Sequence, residues 1–128
     1  MITACDIFTF NTGTPLSELN DGEYHFLSGE ELSEIIEADD SQWVWGVLSA
    51  FDKQIPLEKI LKYPLPYADG YPGFWTNPLT LQHPLASVEI VPWDSSLVLI
   101  LSSDKRFIDI FRSVYPESQD LEEHNMRG

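Results

Sequence analysis

The sequence predicts a single α+β domain, with a mainly antiparallel sheet and about three helices packed against it. Its 128 residues fit one ordinary domain. Strand-like and helix-like segments follow one another as β, α, β, α, then a β-meander and a last helix. Neither an internal repeat nor a composition break marks a second domain. We expect the domain to span residues 1–116, followed by an acidic C-terminal tail, prone to fraying, over residues 117–128.

The first elements are a strand and a short helix. Aromatic and β-branched side chains favour a strand within residues 2–10. Thr14 before Pro15 predicts the first turn of a short helix over residues 16–19, which the turn formers at 20–22 stop.

The clearest helix signal spans residues 28–38. Ser28 and Glu31 form a capping box, and the first turn is acidic, which the helix dipole favours. The acids of this segment fall largely off its apolar stripe, which consists of Leu32, Ile35 and Ile36.

The middle of the chain predicts a strand, a short helix and a long loop. Residues 42–51 are rich in aromatic and β-branched side chains, so we expect a strand with apolar contacts on both faces. Pro56 opens a short helix whose inward residues are Leu57, Ile60 and Leu61. Residues 64–75 combine turn formers with aromatics, which predicts an irregular loop.

The last third predicts strands at residues 79–81 and 87–91, the latter with Val88 and Ile90 alternating with Glu89. A turn is expected over residues 92–96. The continuous apolar run 97–101 predicts a central strand. A final helix runs from about residue 104 to 115 and is stopped by Pro116, with a buried stripe of Phe107, Ile110, Phe111 and Val114.

The acidic residues are concentrated early in the chain. Residues 1–52 contain eleven Asp and Glu and no Lys or Arg, whereas residues 53–128 contain ten acids and seven bases. The formal net charge of −14 therefore lies mostly in one part of the chain.

This distribution bears on the choice of partner. Binding to a phosphate backbone needs basic side chains that release counterions, and residues 1–52 offer none. Anionic membrane surfaces repel the same segment. A basic protein is the natural complement, because opposite charges speed encounter and suppress wrong partners. The alternative is that the acids only keep the surface soluble.

Cysteine usage and apolar runs indicate the compartment. Cys5 is the only cysteine, so no disulfide can form within the chain, which fits a reducing environment. The first residues lack the basic and apolar regions of a signal peptide, and the longest apolar run is too short to cross a bilayer. We therefore expect a cytoplasmic protein.

Side chains that could carry out chemistry form no recognised pattern. Cys5 could act as a nucleophile with His25 or His83 as its base, but no glycine-rich turn follows it. The histidines lack the paired spacing of a zinc site, and the acid runs lack the alternating ligands of a calcium loop. We predict a protein that is not an enzyme, with no catalytic residue, no metal and no cofactor.

Two features stand out as candidate partner-binding residues. One is the acid series on and just after the predicted helix, Glu30, Glu31, Glu34, Glu37, Asp39 and Asp40. The other is the loop that carries Tyr67, Asp69, Tyr71 and Trp75, since Tyr and Trp are enriched at interface hot spots. Equally, these aromatics could fold over the sheet and complete the core.

With Trp43-Val44-Trp45-Gly46 and the segment from Glu89 to Ser96 taken together, the chain resembles small acidic bacterial immunity proteins, which inhibit cognate toxin domains. The likeness spans most of the chain and concerns size, acidity, α+β layout and aromatic segments. It implies a one-to-one complex with a toxin domain, often a basic nuclease, in the cytoplasm of the producing cell. Immunity proteins differ in fold, so no functional residue is carried over.

The leading hypothesis is an inhibitor whose acidic first half docks on a basic toxin domain, with Tyr71 or Trp75 as a packed anchor. Two hypotheses from other classes stay open. One is a nucleic-acid mimic that occupies a DNA- or RNA-binding protein. The other is a small enzyme with a pocket around His83 and Asp94.

Overall fold

The computed structural model describes residues 1–8, 14–38 and 41–127. Five strands form one antiparallel sheet in the order β2-β1-β3-β4-β5. The strands are β1 (Ile2–Phe8), β2 (Tyr24–His25), β3 (Gln42–Ala50), β4 (Val88–Trp93) and β5 (Leu97–Ser102). The helices are α1 (Pro15–Glu18), α2 (Gly29–Ala38), α3 (Leu57–Ile60), α4 (Lys105–Val114) and α5 (Leu121–Arg127), with a 3₁₀ turn at Pro72–Trp75. The predicted α+β class is confirmed. No helix within the described ranges is long and apolar enough to cross a membrane.

The core lies on both sides of the sheet, because neighbouring residues of a strand point to opposite faces. Val47 packs in one buried cluster with Phe74, Val91 and Leu99. The next residue, Leu48, packs against a second cluster, formed by Ile2, Ile7, Leu16 and Leu19. We call the first side the loop face, since the long loop after α3 covers it, and the second the helix face, since α1 and α2 cover it.

Two irregularities in the β1–β3 pairing determine which face of the sheet Trp43 and Trp45 occupy. Between Thr3 and Asp6 the register gains a residue in β1, where Ala4 has a φ of +49°. Between Asp6 and Ile7 it gains a residue in β3, as at a β-bulge. The second shift turns Trp43 to the helix face, whereas Trp45 packs on the loop face.

Capping side chains set the starts of α1 and α4. The Thr14 hydroxyl oxygen accepts a hydrogen bond from the backbone N–H of Ser17 at 3.2 Å, which caps α1. The Asp104 carboxylate accepts one from the backbone N–H of Arg106 at 2.9 Å, which caps α4. Each cap satisfies a backbone donor that the helix itself leaves without a partner.

The strand predicted at residues 79–81 is wrong. This segment is irregular, although Leu79 and Leu81 pack against the loop-face core. The Gln82 side chain accepts from the backbone N–H of Tyr67 at 2.9 Å and donates to the Tyr67 carbonyl at 2.9 Å. A side-chain amide therefore makes the pair of bonds that a strand partner would otherwise supply.

The position predicted for the apolar run 97–101 is also wrong, since β5 is an edge strand rather than a central one. Val98, on its helix-face side, is 60% exposed. The turn before it is shorter than predicted, because Pro92 and Trp93 belong to β4. Asp94 and Ser95 make the reversal with φ values of +50° and +61°.

The buried stripe predicted for the last helix is only half correct. Phe107 and Phe111 are partly buried, but Ile110 and Val114 are 65% and 63% exposed. Apolar spacing marks a face that could be buried, and here the sheet edge reaches only part of it. Leu61, predicted to face inward after α3, is likewise exposed.

Residues 121–127 form α5, which is tied to the loop face. Leu121 packs against the loop-face cluster. The Asn125 side-chain amide donates to the backbone carbonyl of Phe74 at 3.0 Å and to the Asn77 side-chain oxygen at 3.1 Å. These contacts anchor the last helix to the loop over the sheet.

Glu89 is a charged residue buried in the core. Glu89 alternates with Val88 and Ile90 along β4 and is fully buried on the loop face. One carboxylate oxygen accepts from the backbone N–H of His83 at 3.2 Å, and the other has no hydrogen-bond partner in the described residues. Burial raises its pKa from 4.5 to about 6, although backbone hydrogen bonds from His83 and Gln82 oppose this rise.

Glu89→Gln is expected to stabilise the fold by about 2 kcal/mol at pH 7.5 and to have little effect near pH 4. The raised folded-state pKa means that the folded protein holds this proton more tightly than the unfolded chain. Stability from this group is therefore complete below about pH 4.5 and is lost as pH rises through 6. Urea unfolding at both pH values measures the difference.

Glu117→Gln serves as the control, because it removes the same charge from an exposed position. It should change the free energy of unfolding by no more than about 0.5 kcal/mol at either pH. A Glu89→Gln effect that is equal at pH 4 and pH 7.5 would contradict a buried carboxylate with a raised pKa.

Candidate functional site

Helix α2 begins at the capping box that the sequence predicts. The Ser28 hydroxyl oxygen accepts from the backbone N–H of Glu31 at 3.1 Å, and the Glu31 carboxylate accepts from the backbone N–H of Ser28 at 3.0 Å. Glu31 is thus occupied by the cap. The remaining acids of the helix are free to present their carboxylates to solvent.

The orientation of α2 follows from the packing of its apolar side chains. Leu32 and Ile35 pack against the helix-face cluster. With 3.6 residues per turn, Ile36 lies at one edge of this stripe and is 45% exposed. Glu30, Glu34 and Glu37 are exposed and lie on the side of the helix that faces away from this apolar stripe.

These acids form no ion pair within the described residues. The ion pairs found there are Arg106–Asp104, Arg112–Asp120 and Arg127–Glu123, all beyond residue 103. The negative field of α2 is therefore not cancelled by local pairing and is available to an approaching cation. Asp39 and Asp40, which the sequence groups with these acids, lie outside the described residues.

An apolar groove of about 440 Å³ runs beside α2 on the helix face. Ile36 forms one wall. The floor consists of side chains from adjacent strands, with Leu48 opposite Ile90 and Pro92 opposite Val98. Trp43 also lines it. The second β-bulge and the edge position of β5 therefore together shape this surface.

The aromatic loop takes a different position from the acids. Tyr71 and Trp75 are partly buried and pack against the loop-face cluster, and the pKa of Tyr71 is raised, first by burial and then by Glu89 and Tyr67. Trp75 stacks edge-on with Trp93 at 5.2 Å between ring centroids. Only Tyr67 and Asp69 of the proposed loop residues are exposed.

The two groups of candidate residues lie on opposite faces of the sheet. Helix α2 covers the face on which Leu48 lies, and the aromatic loop covers the face on which Val47 lies. One flat docking surface cannot include both the α2 acids and Trp75. The groove was missed from the sequence because Ile36 was assigned to the buried stripe and Val98 to a central strand.

Three of the side chains considered for catalysis, Cys5, His83 and Asp94, lie in different parts of the fold. Burial, and then the charge of Asp6, raise the pKa of the Cys5 thiol to about 12, which keeps it protonated near neutral pH. His83 is buried, its Nε2 lies 2.9 Å from the Ile60 carbonyl and its Nδ1 accepts from the backbone N–H of Leu85 at 3.1 Å. Asp94 is exposed at the hairpin turn. Neither the groove beside α2 nor the polar cleft between α4 and α5 is lined by His83 or Asp94.

A second cleft, of about 490 Å³, lies between α4 and α5 and is polar. Its arginines are already paired, Arg112 with Asp120 at 3.0 Å and Arg127 with Glu123 at 3.9 Å. Pairing within the chain leaves this cleft with less unbalanced charge than the surface of α2. No three His, Cys, Asp or Glu side chains of the described ranges come together as a metal site would need.

Comparison with family models, with curated proteins and with solved structures gives no match for this chain.

Proposed function

We propose that this chain is an inhibitor of the immunity type, which binds a basic toxin domain through the acidic side of α2. The observation that carries the proposal is the set Glu30, Glu34 and Glu37, which are exposed on the outer side of α2 and form no ion pair within the described residues. Long-range attraction brings a basic partner to this side, and apolar contact then holds it.

A purely solubilising surface accounts for the acids but not for their position. Solubility needs charge anywhere on the surface, whereas here three carboxylates without ion pairs in the described residues share one side of a single helix. This arrangement favours docking over solubility alone.

Co-expression with the protein encoded directly upstream tests the proposal. We expect that protein to arrest growth when expressed alone and growth to recover when this chain is present. Glu30→Gln/Glu34→Gln/Glu37→Gln should weaken the rescue, whereas the same change at Glu58, Glu117 and Glu122 should preserve it. If the upstream protein is harmless, or stays toxic beside this chain, the proposed function loses its support.

A further inference from the structure

The outer edge of β5 carries a row of backbone groups that have no partner strand. In an antiparallel pair, residues alternate between those that exchange both backbone hydrogen bonds with the neighbouring strand and those whose N–H and C=O groups point away from it. The bond from the Ser103 N–H to the Ser87 carbonyl, at 3.0 Å, fixes this alternation for β4 and β5. The backbone groups of Val98, Ile100 and Ser102 therefore point away from β4 and have no backbone partner within the described residues.

This edge lacks the features that usually keep a sheet edge from pairing with another chain. Those features are charged side chains, proline, β-bulges and a covering element. Residues 97–102 contain no charged residue and no proline, and all of β5 is in continuous register with β4. Leu97 and Val98 are 47% and 60% exposed, so the start of the strand is open to solvent. The edge is therefore available to an added strand.

We propose that β5 pairs with β5 of a second copy of this chain, antiparallel across a two-fold axis at Ile100. Each outward backbone group then meets a partner. Ile100 exchanges both hydrogen bonds with Ile100 of the other copy, and Val98 exchanges both with Ser102 of the other copy. The same strand serves on both sides, as a two-fold interface requires, and the two sheets become one continuous sheet. This interface does not depend on the proposed function.

Charges at the two ends of β5 favour a second copy over an unrelated strand. Asp94 lies just before β5 and Lys105 just after it, and both are exposed and form no ion pair within the described residues. Antiparallel pairing brings the start of one β5 beside the end of the other, so each Asp94 approaches Lys105 of the other copy. Backbone pairing alone accepts many strands, whereas this chain also supplies the matching charge at both ends.

The acidic helix stays distant from this contact, although each chain has a formal net charge of −14. Helix α2 packs against the helix-face cluster, which includes Ile2 and Ile7 of β1, and β3 and β4 separate β1 from β5. With about 4.8 Å between neighbouring strands, the two β1 strands of the dimer lie about 34 Å apart, or about four Debye lengths at physiological ionic strength. Repulsion between the two α2 helices is therefore largely screened.

Sedimentation velocity and amide hydrogen exchange of the full chain test the proposal. We expect a monomer–dimer equilibrium with a dissociation constant of about 10–100 µM, as for a small, transient interface. At concentrations above this value, the amides of Val98, Ile100 and Ser102 should exchange more slowly than in dilute protein. The amides of Leu99 and Leu101 should change little, because their N–H groups already bind β4.

Two variants at one position separate backbone pairing from side-chain contact. Val98→Pro removes an outward N–H donor and should weaken the dimer at least about tenfold, since each dimer loses the bond twice. Proline is tolerated at an edge position whose N–H does not face the sheet, and far-UV circular dichroism checks the fold. Val98→Ala is the matched control, because it shortens the same side chain and keeps the donor. It should weaken the dimer by no more than about threefold.

A second pair of variants tests the charges at the strand ends. Lys105→Glu places like charges beside Asp94 of the other copy and should weaken the dimer about three- to tenfold at low salt. Lys59→Glu makes the same change at an exposed position on α3 and should have little effect.

A chain that sediments as a monomer up to about 1 mM would overturn the proposal. Equal weakening by Val98→Pro and Val98→Ala would also reject it, as would slowed exchange that omits Val98, Ile100 and Ser102. If these amides become protected only when the partner found by co-expression is added, the edge binds that partner and not a second copy. Growth rescue enters none of these measurements, so failure of the proposed function and failure of this proposal remain distinguishable.

Discussion

Replacing Glu30, Glu34 and Glu37 together by Gln is expected to slow association with the basic partner by about ten- to a hundredfold at low salt. The three carboxylates lie on one side of α2 without ion pairs in the described residues, so their field acts on the partner before contact. The dissociation rate should change much less, because packed apolar contacts remain. Stopped-flow mixing with the partner found by co-expression measures both rates.

Salt should reproduce part of this effect in the unmodified protein. Exposed charges act over a Debye length of about 8 Å at physiological ionic strength, so added salt slows their encounter with a cation. The triple variant should therefore show a flatter dependence of association rate on salt. Glu31 stays in place to preserve the capping box.

The control for this variant carries the same change at Glu58, Glu117 and Glu122, all exposed and outside α2. It has the same formal net charge of about −11 as the test variant. If both triple variants slow association equally, only the total charge matters and α2 is not the docking side.

Phe74→Ala is expected to destabilise the fold by about 3–5 kcal/mol. Phe74 is 1% exposed and lies in the loop-face cluster with Val47 and Val91. Its ring also stacks edge-on with Tyr71 at 4.7 Å between centroids. The substitution leaves a cavity and loosens the backbone to which Asn125 donates its hydrogen bond. Because a domain has only about 5–15 kcal/mol of stability, the midpoint of urea unfolding should fall sharply.

Met126→Ala is the matched control on α5, where the side chain is 79% exposed. It should alter the free energy of unfolding by no more than about 0.5 kcal/mol. A loss below about 1 kcal/mol for Phe74→Ala would mean that the aromatic loop does not form part of the core.

Local signals in the sequence predicted the elements whose ends are set by their own side chains. The capping box at Ser28 and Glu31, and the cap at Thr14 before Pro15, act over a few residues and therefore appear in the sequence as fixed spacings. The strand at 42–51 was also predictable, because aromatic and β-branched side chains suit a strand buried on both faces.

Features that depend on distant segments were not predictable in this way. Whether β5 is central or at the edge depends on what pairs with it, and its apolar run looks the same in either position. Glu89 is buried because the loop that contains His83 folds over it, which no local pattern records. The same applies to the groove, since Ile36 and Val98 meet only through the folded sheet.

The separation of the candidate residues onto two faces gives the proposal its most direct test. Amide hydrogen exchange of this chain, alone and in complex with the partner found by co-expression, locates the buried surface. We expect added protection in α2 and in the β4–β5 hairpin around Asp94, and no change over residues 67–75. Protection confined to residues 67–75, with α2 exchanging as in the free protein, would contradict docking through the acidic side of the helix face.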